Sequence, residues 1–331
     1  MIKYIGSKKR MIPHILRIVS SLSDVSSVAD LFSGSSRVGH ALKRAGYRVM
    51  SNDLGQFAHV IATGLVQASD SRRNEASSLI EELNKLEGKV GYFTETFCNN
   101  ARFFQPKNGM KVDRIREEIE LLDVDFEMKC VLLTSLIEAA DRVDSTVGLQ
   151  VAFLREWAPR SFRNLVMRVP DLLPDHGDTK CVALNEDALD LASRVKVDVV
   201  YIDPPYNQHS YANNYHIWDT LVKWDHPQHK GKACRRIDVA RGKSVFNDKK
   251  RAVGAMRDLV SALDVPYIIV SFNNRGFISP DEIIEILRER GDVHTESIDH
   301  PQHISAMIAL KERSSYTPKS NKEYIFTCHT K

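Results

Sequence analysis

Cysteine is scarce in this chain. Cys98, Cys130, Cys181, Cys234 and Cys328 are odd in number and widely spaced, with no CxxC pair. That argues against a disulfide framework and for a reducing, cytoplasmic setting in which the thiols act as small buried hydrophobes. No apolar run approaches the length of a membrane span. The first ten residues carry charge with no apolar stretch behind them, which argues against a secretory signal. Neither sign of charge dominates: 46 Lys and Arg stand against 43 Asp and Glu, so the overall balance names no partner. No internal repeat or low-complexity tract is visible. What is present is a hydrophobic content of 43% over 331 residues. That is ample for a core, and the length suits more than one domain but fewer than three.

The most informative stretch is Asp203-Pro204-Pro205-Tyr206, which follows the β-branched run Val197 to Ile202. The run reads as a buried parallel strand, and the prolines end it because neither can donate a ladder hydrogen bond. An acid, two rigid residues and an aromatic ring are thereby placed at the carboxyl end of a strand, where open α/β sheets bind ligands. The Asp203 carboxylate and the Pro204 carbonyl can both accept from an exocyclic NH2 while Tyr206 stacks on the ring that bears it. Taken alone, the tetrapeptide reads equally well as an Asp-Pro turn with a surface tyrosine.

A second unit points the same way. Val28 to Phe32 reads as a short buried strand, Ser33-Gly34-Ser35-Ser36 as a small-residue turn, and Arg37 to Ala45 as a helix closed by Gly46. Such a turn offers free N–H groups and a helix start to an anionic group. The next strand, Tyr47 to Ser51, ends at Asn52-Asp53. An acid there is placed to grip two ribose hydroxyls. The loop lacks the GxGxxG pattern, and an ordinary βαβ turn is the alternative.

These stretches, in this order, resemble a known family, the Dam-like (D12 class) DNA adenine-N6 methyltransferases that use S-adenosyl-L-methionine. Lys3-Tyr4-Ile5-Gly6-Ser7-Lys8 resembles the family's amino-terminal cofactor segment, Asp30-Leu31-Phe32-Ser33-Gly34 its cofactor loop, Asn52-Asp53 its ribose acid and Asp203 to Tyr206 its catalytic tetrapeptide. Asn207 to His216 resembles the tail of one branch. The chain departs from that pattern at Ser36, where glycine is usual, and at Trp218-Asp219, where leucine and glutamate are more common. The resemblance implies catalytic roles for Asp203, Pro204 and Tyr206. It implies cofactor contacts from Tyr4, Lys8, Asp30, Phe32, Gly34, Asp53, Asp187 and Asp203. For Asp187, capping of the helix that begins at Ala188 is a compatible second role. An aspartate opening the tetrapeptide favours adenine over cytosine N4 in related enzymes.

Between Leu54 and Asp178 helical patterns replace the alternation of strand and helix. Glu75 to Leu86 and Val112 to Leu122 read as charged helices, and Met128 to Ala140 as a more buried one. We therefore expect an α/β, Rossmann-like sheet of about seven strands, helices on both faces and an antiparallel edge, from residues 1–58 and 176–331. Residues 59–175 are expected to form an inserted, mainly helical target-recognition domain. Within it, Arg155, Arg160 and Arg163 are candidates for DNA contacts, with Trp157 and Phe162 for packing or stacking.

From Lys230 to Arg251 nine Lys and Arg face only Asp238 and Asp248. With Gly231 and Gly242 the segment reads as an exposed loop, and Lys249, Lys250 and Arg251 as phosphate contacts beside the tetrapeptide. Tyr211 and Tyr215 are candidates for the same DNA-facing pocket, or for packing. His209, His216, His226 and His229 lie near, but only His226, His229 and Cys234 could be zinc ligands, at irregular spacing, so no metal is expected.

The expected partners are double-stranded DNA, with a flipped-out adenine, and a cognate restriction endonuclease. No membrane is expected. An RNA adenine methyltransferase would share the chemistry. A non-catalytic DNA-binding protein could keep the fold with an altered cofactor loop.

Overall fold

Seven strands form the mixed sheet of an α/β fold in this computed structural model. Residues 1–176, 180–208, 210–239, 244–300 and 321–331 are described, so the readings on Asp178, His209 and Gly242 lie outside them. The chain divides into two units, residues 1–186 with 210–243 and residues 187–209 with 244–331.

In the first unit β1 (Ser27–Asp30), β2 (Arg48–Asn52) and β3 (Val182–Leu184) lie in the order β3-β2-β1, all parallel. Val28 pairs with Val49 and Ser51 with Ala183. Every residue of β1 is buried, as befits a parallel strand covered on both faces. In the second unit β4 (Val199–Ile202) pairs in parallel with β7 (Tyr267–Asn273). There β9 (Asn321–Thr330) runs antiparallel to β7, and β8 (Gly291–His300) antiparallel to β9. The expected antiparallel edge is present. A ribbon of β5 (His229–Lys230) and β6 (Arg235–Arg236) stands apart in the first unit.

Helices fill the chain between β2 and β3. Asp125 caps the helix Phe126–Asp141 by accepting from the Met128 N–H at 2.8 Å. That helix is apolar on most sides, and 12 of its 16 residues are buried. It is therefore the centre of the helical core, around which Phe93, Phe97, Phe103 and Phe104 gather. The preceding helix runs Pro106–Leu121, beginning six residues before the apolar stripe at Val112. Pro106 at its first position starts it, and Gly109 inside it allows close approach to Thr94 and Cys98.

The helix His216–Lys223 buries Ile217, Trp218 and Leu221 in this same core. Its last carbonyls, Leu221 and Val222, accept from the buried Arg116 guanidinium at 2.7 and 3.0 Å, satisfying groups that a helix end leaves open. In the second unit the helix Ala252–Ala262 packs on Ala188–Ala192 and Pro280–Arg288. All five cysteines are buried and free. Among the described residues no helix is long and apolar enough to cross a membrane.

Candidate active site

In the first unit the ends of the three parallel strands are joined by side chains. Asn52, fully buried at the end of β2, donates to the carbonyls of Leu31 and Glu186 at 3.2 and 3.1 Å and accepts from the Glu186 N–H. Asn185, just past β3, donates to the carbonyls of Asp53 and Leu54 at 2.7 and 3.0 Å. The rim is a bonded frame, so a residue placed on it keeps its position.

Asp53 stands on that frame. Its two carboxylate oxygens accept from the N–H groups of Gly34 and Gly55, each at 2.8 Å. Burial raises its pKa to about 6, against the two N–H donors that lower it, and nearby Asp219 adds repulsion. Asp219 is itself buried, its pKa is raised by that burial, and it accepts from the Phe57 N–H at 3.3 Å. The glycine loop is therefore latched to the acid at the end of β2.

Gly34 has φ +50°, and a Cβ there would lie 2.8 Å from the Tyr4 ring. Both constraints demand glycine. Tyr4 in turn stacks on Tyr215 at 4.7 Å and Tyr211 at 5.3 Å. The Tyr215 hydroxyl accepts from the Ile5 N–H at 2.5 Å. Tyr215 is thus a buried packing residue that fastens the amino-terminal segment. Lys8 is buried in the short helix Lys8–Arg10, Asp30 closes β1, and Phe32 leads into the loop.

Ser36 adopts a left-handed conformation, φ +58°, at the start of the helix Arg37–Arg44. Its buried hydroxyl and that of Ser33 have no hydrogen-bond partner among the described residues. Orphaned buried hydroxyls need an explanation. A polar ligand lying in the loop would supply one, and the set of carboxylate, N–H groups and hydroxyls suits the ribose and amino-acid ends of a nucleoside such as S-adenosyl-L-methionine.

In the second unit the tetrapeptide follows β4 directly. Pro204 is buried, while Asp203, Pro205 and Tyr206 are partly exposed. Tyr206 is fixed through its backbone, its carbonyl accepting from the Phe277 N–H at 2.9 Å, and its ring meets Phe272 edge-on at 6.2 Å. Asn247 holds the next carbonyl, of Asn207, at 2.7 Å. Asp187 caps the helix Ala188–Ala192, accepting from the Leu189 N–H.

The arginines separate. Arg160 is held by Asp144 at 2.7 Å and by the Thr146 carbonyl. Arg155 and Arg163 are exposed. Trp157 lies under Arg102, 4.8 Å from ring centre to guanidinium. The basic segment from Lys230 differs from a single exposed loop. Arg236 is buried between Asp225 and Asp238, at 2.6 and 2.9 Å, because two carboxylates offset the cost of its burial. Lys249, Lys250 and Arg251 are exposed in the second unit, just before the helix Ala252–Ala262. His226 stacks on Tyr92. Among the described residues no group of His, Cys, Asp or Glu is arranged to hold a metal ion.

Comparison with known proteins agrees with these motifs. Residues 4–277 match the D12 class N6 adenine-specific DNA methyltransferase family. The chain is 34% identical to modification methylase StsI of Streptococcus sanguinis, covering 87% of this chain and 46% of that one. It is 28% identical to the type II methyltransferase M.FokI of Planomicrobium okeanokoites, over 98% and 52% of the two chains. It is 29% identical to M.NlaIII of Neisseria lactamica, over 87% and 88%. The chain thus spans about half the length of the StsI and FokI enzymes and most of the NlaIII one. By the extent of the family match, this chain belongs to the D12 class N6 adenine-specific DNA methyltransferases.

Proposed function

We propose that the protein transfers a methyl group from S-adenosyl-L-methionine to N6 of an adenine flipped out of duplex DNA at a defined sequence. The observation that carries this is Asp203-Pro204-Pro205-Tyr206, held at the carboxyl end of β4 by its own backbone bonds, in a chain of this family. S-adenosyl-L-methionine would supply the electrophilic methyl from its sulfonium and leave as the neutral thioether. The adenine N6 lone pair is delocalised into the ring, so the nitrogen is a weak nucleophile. Asp203 and the Pro204 carbonyl accept hydrogen bonds from its two N–H groups and favour a pyramidal nitrogen whose lone pair points away from the ring, and the one proton that the methyl displaces passes to solvent. Acceptors placed beforehand stabilise the transition state without reorganisation. Tyr206 stacks on the extruded base and offsets part of the lost pairing, a cost of a few kcal/mol.

Asp53, fixed by two N–H groups, accepts from the ribose hydroxyls, and Tyr4, Lys8, Phe32 and the Gly34 loop enclose the cofactor. Asp187 accepts from the amine of the cofactor's adenine ring. Residues 59–175 form the target-recognition part, and Lys249, Lys250 and Arg251 hold phosphates. Relatives named as modification methylases support a place beside a restriction endonuclease that cuts the same sequence.

The test is incubation of the purified protein and labelled cofactor with duplex DNA and with RNA of matching sequence, followed by nucleoside mass spectrometry. N6-methyladenine in duplex DNA is the expected product. Methylation confined to RNA, or N4-methylcytosine as the product, would overturn the reading.

A further inference from the structure

Residues 161–168 run from the end of the short helix Pro159–Phe162 into Asn164 to Arg168, which belong to no helix or strand. Their backbone is nevertheless held nearly throughout, and by side chains. Asn108, 2% exposed, donates to the carbonyls of Ser161 and Arg163 at 3.1 and 2.9 Å and accepts from the Leu165 N–H at 2.9 Å. Asn84 accepts from the Met167 N–H at 2.9 Å and donates to the same residue's carbonyl at 3.0 Å. Lys107, Arg142 and Ser135 donate to the carbonyls of Phe162, Val166 and Arg168 at 2.8, 2.9 and 2.7 Å.

Water would satisfy these groups in an ordinary surface loop. Here the surrounding helices supply the bonds, which fixes the strap in one shape. Ser161, Leu165 and Met167 anchor it inward. Phe162 and Val166 are left 59% and 48% exposed, with Arg163, Asn164 and Arg168 exposed beside them. The Arg163 guanidinium has no hydrogen bond or ion pair among the described residues. From Arg155 to Arg168 the sequence holds four arginines and one acid, Glu156, and with Arg160 paired to Asp144 the edge keeps Arg155, Arg163 and Arg168. An ordered, positively charged edge with two bare apolar side chains is complementary to a nucleic-acid groove.

We propose that the strap from Ser161 to Arg168 enters a groove of the duplex and sets the methylated sequence. Phe162 and Val166 touch base edges or steps, Arg163 bonds to a base edge, and Asn84 and Asn108 are the positioning residues behind them. This rests on the reading of the protein as a DNA adenine methyltransferase.

Two variants test it: Phe162→Ala with Val166→Ala, and Arg163→Ala. Neither removes a buried contact, so both are expected to melt with the wild type. Sequencing of methylated positions, and affinity for the cognate duplex against a scrambled one at fixed salt, are the readouts. We expect at least one motif position to relax, and the preference for the cognate duplex to fall by about tenfold or more, the scale of a lost arginine–base pair. An active wild type whose motif and preference survive both variants overturns the strap while leaving the enzyme's function intact. A wild type that methylates no DNA overturns the functional reading and the strap with it.

Discussion

The rim around Asp53 and the strap around Arg163 are built by opposite logics. At the rim, backbone N–H groups of Gly34 and Gly55 hold a side chain, and the carboxylate is half-buried and fixed. Along the strap, side chains of Asn84 and Asn108 hold the backbone, and the strap's own side chains are left exposed. The first arrangement suits a small ligand of constant shape, met by a few fixed polar groups. The second suits a large partner whose sequence must be read, because outward side chains can change without disturbing the scaffold.

The largest expected effect comes from breaking the strap's support. Asn108→Ala leaves the Ser161 carbonyl and the Leu165 N–H without their bonds in a buried setting, while the Arg163 carbonyl can turn to water. The cost should be about 2–6 kcal/mol, since each of the two buried groups costs about 1–3 kcal/mol. Urea denaturation checks it, and a loss below 1 kcal/mol would show that the strap holds itself without Asn108.

The rim should respond differently, trading function for stability. Asp53→Asn is expected to weaken cofactor binding by about 1.5–3 kcal/mol if charge-assisted bonds are lost, measured by calorimetry. The sign for stability is opposite. A carboxylate whose folded pKa is raised contributes stability that is full below its unfolded value, near 4, and is lost as pH rises through about 6. The charged form is therefore a burden at pH 8. Asp53→Asn removes that titration but sets its amide NH2 against one of the two glycine N–H groups, a cost that is the same at every pH. The stability of the variant relative to the wild type should therefore rise by about 1–2 kcal/mol between pH 4 and pH 8, allowing for the side chain's partial exposure. A relative stability that does not change over that range would contradict a strained charge.

The smallest effect is at Ser36. Its left-handed backbone and unpartnered hydroxyl both favour glycine. Ser36→Gly should raise the stability of the unliganded protein by about 0.5–1 kcal/mol and weaken cofactor binding by about 0.5–1.5 kcal/mol, the scale of one hydrogen bond. Equal or tighter binding would show that the hydroxyl does not contact the ligand.

How far the sequence reaches follows from the range of the interactions. Gly34, Asp53 and the tetrapeptide were legible because a strand end, a turn and a polar residue lie within a few positions of one another. The sheet was legible through its β-branched runs, with strand ends shifted by one or two residues. Asn52, Asn185, Asn84 and Asn108 carry no local mark, since their partners lie 21 to 134 residues away. Asn108-Gly109 even has the look of a turn, yet it lies within the helix Pro106–Leu121, with Gly109 packed against Cys98 and Asn108 bonded to Ser161. Arg236 joined an apparent basic loop because nothing in the spacing announces Asp225 and Asp238 closing around its guanidinium. Asp219 shows the same limit, its link to Phe57 spanning 162 residues.

The central claim is that Asp203 acts on the target amine, and one comparison tests it most directly. Asp203→Ala and the wild type are assayed side by side for N6-methyladenine formed in duplex DNA and for cofactor affinity by calorimetry. Methylation should be nearly abolished in the variant while cofactor affinity stays within several-fold. Full methylation by Asp203→Ala would contradict the mechanism outright.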